Sequence, residues 1–156
     1  DQRRHASPGE LIGEHEPCGA GADDQHLGVH VRSFRRESND DGESWTDARD
    51  SDILNPGTSL EVVRLRNGHW IMVYNDLERN RYSLVAAISE DEGKTWPIRR
   101  HLEGQPDVET PGQYHYPSVM QARDDAIHVT YSYFTPAGKS IKHARFNEEW
   151  VRSKPE

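Results

Sequence analysis

The stretch Ser38–Trp45, SNDDGESW, returns as Ser89–Trp96, SEDEGKTW, and this repetition constrains the fold more than any other feature of the chain. Both copies fit one template: Ser, any residue, Asp, any residue, Gly, any residue, Ser or Thr, Trp. Gly42 to Gly93 and Trp45 to Trp96 are each 51 positions apart (93 − 42 and 96 − 45). A glycine inside a short polar run can take the positive φ of a tight turn. An Asp two residues earlier can accept the turn's backbone N–H groups. Ser38, Asp40, Gly42 and Trp45 therefore read as one structural clip, and Ser89, Asp91, Gly93 and Trp96 as a second, with Ser44 and Thr95 adding a hydroxyl to each. Each Trp ring is expected to be buried, contributing roughly 2–3 kcal/mol from area alone.

The segments around the clips read as strands. SLEVVRLR and HWIMVYND flank Asn67-Gly68, a strong hairpin signal. YSLVAAIS precedes the second clip and PIRRHLE follows it. Four strands are expected at about 60–66, 69–75, 82–89 and 97–102, with the clip between the third and fourth. Further on, YPSVMQAR and AIHVTYSYF are joined at Asp124-Asp125, and TPAG leads into KSIKHARFN. The strands are rich in Val, Ile, Tyr and Thr. No segment carries a sustained i, i+3, i+4, i+7 apolar pattern, so almost no helix is expected. A period near 50 residues with four short strands per unit is the spacing of β-propeller blades. The fold class is thus all-β, with about three four-stranded antiparallel blades of a six-bladed propeller, a half propeller.

Two parts are expected along the chain. Residues 1–26 are poor in β-branched and aromatic residues and read as a loosely ordered N-terminal segment, with room for one short strand near Leu11 and Ile12. Residues 27–156 hold the propeller blades, beginning with the alternating LGVHVRSFR. The opening residues show no charged n-region followed by an apolar core.

With 156 residues the chain has room for one ordinary domain. A net charge of −8 argues against non-specific nucleic-acid binding, and the longest apolar runs are too short to span a bilayer as helices. A single cysteine, Cys18, excludes an internal disulfide framework. The nine histidines are scattered singly, so no metal site and no cofactor is expected.

SNDDGESW and SEDEGKTW resemble Asp-boxes, the bacterial neuraminidase repeats of sialidases and related six-bladed propellers. RLRNGHWIMVYND, SEDEGKTW and YHYPSVMQARDDAIHVTYSY, with KSIKHARFNEEW, resemble the C-terminal half of such proteins, and the likeness covers about residues 27–151. The resemblance implies a ligand on the propeller axis, with three arginines clamping the substrate carboxylate, a Tyr nucleophile and an Asp acid/base. Bidentate Arg suits a planar carboxylate. The position of the family's Tyr reads YHYPSV here, so Tyr116 is the best match and Tyr114 the second, and His115 between them makes a Tyr/His pair a candidate acid/base in a glycosidase or in a lyase acting on a uronic acid. Where the family carries an arginine one blade earlier, this chain reads GTSLEVV and has none. The first arginine and the acid/base Asp belong to blades that precede this stretch in the family.

Arg79 and Arg81, on the LERNR loop, are candidates to meet an anion, as are Lys139, Lys142 and His143 in GKSIKH. Glycan processing on acidic sugars of the glycoside-hydrolase type, completed only on assembly, is one expectation. A non-catalytic carbohydrate-binding or scaffold propeller, or an inactive piece of a longer enzyme, is the alternative. Three blades would leave two bare apolar ends, and charged residues (29%) nearly match hydrophobic ones (33%). Closure by a second copy of the chain, a homodimer, is therefore the expected partner arrangement.

Overall fold

The computed structural model describes residues 32–153. Residues 34–51 belong to one compact unit, and residues 52–153, with Arg32 and Ser33, to a second. Strands β1 (Arg32–Arg35) and β2 (Arg49–Leu54) pair in a two-stranded sheet. Strands β3 (Glu61–Arg64), β4 (Trp70–Tyr74), β5 (Leu84–Ser89) and β6 (Ile98–Glu103) form an antiparallel four-stranded meander. Strands β7 (Gln113–Gln121), β8 (Ile127–Thr135) and β9 (Gly138–Phe146) form an antiparallel three-stranded sheet, followed by the short helix α1 (Glu148–Arg152). The protein is all-β, as expected, and the four expected strands fall on β3 to β6 with ends shifted by one or two residues. Among the described residues no helix is long and apolar enough to cross a membrane.

Local sequence explains the elements. At the β3–β4 hairpin Gly68 takes φ +94°, Gly68 N donates to Leu65 O at 2.9 Å, and Leu65 N to His69 O at 2.7 Å. In β7 the ladder shifts register between His115 and Ser118, because Pro117 has no N–H to offer and Tyr116 sits at φ +49°. Among the described residues the third sheet has three strands. Past β9, Asn147 accepts Trp150 N at 2.9 Å and Glu148 and Glu149 occupy the first turn, so the chain enters α1 instead of a fourth strand.

Antiparallel sheets usually leave one face to water. Here β5 is buried at every residue and β4 at all but Trp70. One face (Ile71, Val73, Leu84, Ala86, Ile88) packs with Tyr114, Val119, Ile127, Val129 and Tyr131 of the three-stranded sheet, and α1 adds Val151. The other face (Met72, Tyr74, Val85, Ala87) packs with Trp96, Ile53, Leu60 and Val62. Polar ties lock the two larger sheets together: Glu61 Oε2 accepts Val119 N at 2.7 Å, and Arg66 donates to Asp125 Oδ1 and to Ala122 O at 2.6 Å.

The two clips are superimposable in their bonding. The first joins β1 to β2 and the second joins β5 to β6. Ser38 Oγ and Ser89 Oγ each accept the glycine N–H at 2.8 Å. Asp40 Oδ1 accepts Ser44 N at 2.9 Å, and Asp91 Oδ1 accepts Thr95 N at 2.8 Å. The hydroxyls of Ser44 and Thr95 donate to the second carboxylate oxygen at 2.5 and 2.6 Å. Gly42 and Gly93 take φ +91° and +82°. The tryptophans differ, which corrects the expectation of two buried rings. Trp96 is 8% exposed against the four-stranded sheet, whereas Trp45 is 47% exposed, because among the described residues a two-stranded ribbon is all that stands beside it. The expected N-terminal segment, its short strand near Leu11 and Ile12, and Cys18 lie outside the described residues.

Candidate functional site

The start of β7 is held by the loop after β4. Tyr114 N donates to Arg81 O at 2.8 Å, which places the Arg81 side chain beside the next residue, His115. Arg81 Nη1 contacts His115 Nδ1. Across the ladder His115 pairs with Ser132 and Gln113 with Phe134, while Phe134 pairs with Lys139 on β9. These registers bring the His115 ring to 4.9 Å from the Phe134 ring and Lys139 Nζ to 5.0 Å over that same ring. The bulge turns Tyr116 outward, 69% exposed, with its ring 6.0 Å from His115. Arg81, His115, Tyr116, Phe134 and Lys139 thus form one surface of two cations and three rings. Burial, then the Arg81 and Lys139 charges, hold the His115 imidazole below its ordinary pKa of 6.5. Its Nε2 is buried and has no hydrogen-bond partner among the described residues.

The remaining candidates lie elsewhere. Tyr114 points inward, edge-on to Tyr131 at 6.3 Å and beside Tyr133 at 5.6 Å, and burial raises its phenol pKa. Lys142 is on the core-facing side of β9, with Nζ against Glu103 and 4.7 Å over the Tyr133 ring. Burial opposes its charge, but Glu103 raises its pKa. Tyr131 OH donates to the same Glu103 at 2.5 Å. This ion pair lines a groove of about 730 Å³ with Leu102, Phe146 and Trp150, apart from the Arg81 surface. His143 stacks on His128 at 5.1 Å, with Nε2 2.9 Å from His128 Nδ1. Arg79 is exposed on its loop.

Sequence reading missed Phe134, because its role depends on pairing with both Gln113 and Lys139. It also missed a cluster joining His69, Glu90 and Glu148, the one group among the described residues whose ligand atoms lie within metal-sharing distance, 4.8 Å. Arg152 occupies its middle: it donates to Glu90 Oε1 at 2.5 Å and, through Nε, to Glu148 Oε1 at 2.8 Å. Burial alone would raise the Glu148 pKa, but Arg152, Asn67 and His69 lower it, so the cluster is a satisfied ion-pair network. A similar knot holds Asp76, where burial is outweighed by hydrogen bonds from His101 at 2.8 Å and Ser83 at 2.6 Å.

No curated protein matches the chain. A family model described as a BNR repeat-like domain matches residues 11–129, a span that includes both clips, all of the four-stranded sheet, β7 and the first three residues of β8. With three quarters of its length under that model, the chain belongs to the family of BNR repeat-like domains.

Proposed function

We propose that the chain is part of a sialidase-like propeller whose Arg81–His115–Tyr116–Phe134–Lys139 surface binds acidic carbohydrate. The observation that carries this is the convergence of side chains from four separate stretches on one end of the three-stranded sheet. Guanidinium and ammonium groups suit a sugar carboxylate or sulfate, and exposed rings suit the apolar C–H face of a pyranose. In this reading the four-stranded and three-stranded sheets are successive blades, and the burial of β4 and β5 on both faces is what blade stacking requires. The test is titration of sialosides, uronides and neutral sugars, followed by calorimetry. Acidic sugars should bind, Lys139→Ala should weaken them at least several-fold, and neutral sugars should not compete. Absence of binding by every acidic sugar would end the proposal.

A hydrolytic role is the second reading, and one observation favours it: Tyr116 combines exposure with a left-handed backbone that costs a non-glycine residue about 1–3 kcal/mol. Turnover of a sialoside by the wild type but not by Tyr116→Phe would support it; equal rates would remove Tyr116 from any mechanism. The partner is a second copy of the chain, completing the ring. Exposed Met120 and Ile141 on the outer face of the three-stranded sheet support this; Ile141 pairs with Ser132 opposite His115, so the second copy would border the carbohydrate surface.

A further inference from the structure

We propose that Arg81 locks His115 as the Nε2–H tautomer, making the imidazole a fixed hydrogen-bond donor for a ligand oxyanion and not a general base. The inference rests on the binding reading above for its ligand, and on geometry alone for the lock. A guanidinium has five donors and no acceptor. Because Arg81 Nη1 meets His115 Nδ1, that nitrogen must present its lone pair. The neutral ring then keeps its single proton on Nε2. A second proton on Nδ1 would set N–H against N–H and place two positive charges in contact. The depressed pKa of His115 agrees with this.

Both nitrogens are thereby withdrawn from base catalysis: Nδ1 is occupied and Nε2 already carries hydrogen. What remains is an Nε2–H without an acceptor among the described residues and closed to solvent, a state that an oxygen would relieve once a neighbouring side chain such as the exposed Tyr116 moves aside. The Phe134 and Tyr116 rings flank the imidazole and hold its plane. The two charged groups around it, Arg81 and the Lys139 ammonium, are donors as well, while the Ser132 hydroxyl opposite His115 can turn to either role. A site whose charged groups are two cations selects an anionic acceptor: the carboxylate of a uronate or the sulfate of a sulfated sugar.

The experiment is long-range proton–nitrogen correlation NMR on the full chain labelled at histidine, with His115 assigned from its loss in His115→Gln. Inorganic sulfate and galacturonate serve as probes. The wild type should show His115 as Nε2–H in at least tenfold excess. Arg81→Met should mix the tautomers and raise the midpoint toward 6.5, whereas Arg81→Lys, which keeps one donor, should preserve the wild-type tautomer. Either probe should move Nε2 and leave Nδ1 in place, galacturonate alone if a carboxylate is preferred and both if any oxyanion serves. An Nδ1–H ring in the wild type, or a tautomer indifferent to Arg81→Met, overturns the proposal even where acidic sugars bind. A locked ring that neither probe nor any acidic sugar moves overturns its ligand half together with the binding reading. Should Arg81→Met fail to fold, the wild-type tautomer and its retention in Arg81→Lys still decide the lock.

Discussion

Asp91 collects three donors from within six residues of itself: Ser89 Oγ at 2.7 Å, Thr95 N at 2.8 Å and Thr95 Oγ1 at 2.6 Å. Asp40 does the same with Ser38 and Ser44. These bonds favour the carboxylate and hold both acids at about 2, down from 3.8, with the Thr95 and Ser44 hydroxyls as the largest cause. Since the folded pKa is the lower one, the stabilisation is complete above about 3.8 and is lost as pH falls through about 2. Carboxyl-carbon NMR titration should give midpoints near 2 for both; ordinary midpoints would mean that the clips are open in solution. Gly104 makes a second prediction at this scale. A Cβ there would lie 1.9 Å from Tyr82 O, at φ +60°. Gly104→Ala should cost about 3 kcal/mol or more in urea unfolding. The clips could be read from sequence because every partner lies within eight residues. Arg81 and His115 were each singled out, but their contact could not be, because it depends on a backbone bond joining residues 81 and 114.

At the scale of elements, the two tryptophans are a matched experiment. Trp96→Ala removes a ring packed on Met72, Tyr74, Val85 and Ala87, and should cost about 3–5 kcal/mol. Trp45→Ala removes a half-exposed ring and should cost about 1 kcal/mol or less. Unfolding curves of the two variants check the contrast; equal losses would show that Trp45 is covered in solution. The middle sheet was legible because apolar runs of strand length alternate with strong turn signals, Asn67-Gly68 and the second clip. The ends of the pattern were less so. The eight-residue template specifies the turn but is silent on what its Trp will meet. The end of the last sheet turns on Asn147, whose capping role competes with a continued strand only once Trp150 and Val151 find apolar surface to cover.

For the whole molecule, the proposed assembly predicts a light-scattering mass of two chains at micromolar concentration, reduced by Met120→Lys combined with Ile141→Lys on the exposed outer face. A single-chain mass for the wild type would remove the second copy as partner and leave the carbohydrate proposal standing. Thin apolar content pointed toward shared surface, yet it could not say where. In the proposed assembly the place is the outer face of the three-stranded sheet, where the register of β7, β8 and β9 sets Met120 and Ile141 on one side.

The central meander, enclosed from both sides, also sets an order in which the molecule comes apart. Amides of Ile71–Tyr74 and Val85–Ile88 can meet deuterium only when the layers on either side have lifted away. They should exchange last and all together, with the protection of global unfolding, while β9, exposed along most of its length, should exchange earlier. A fragment trimmed by protease would therefore keep residues 60–103 longest.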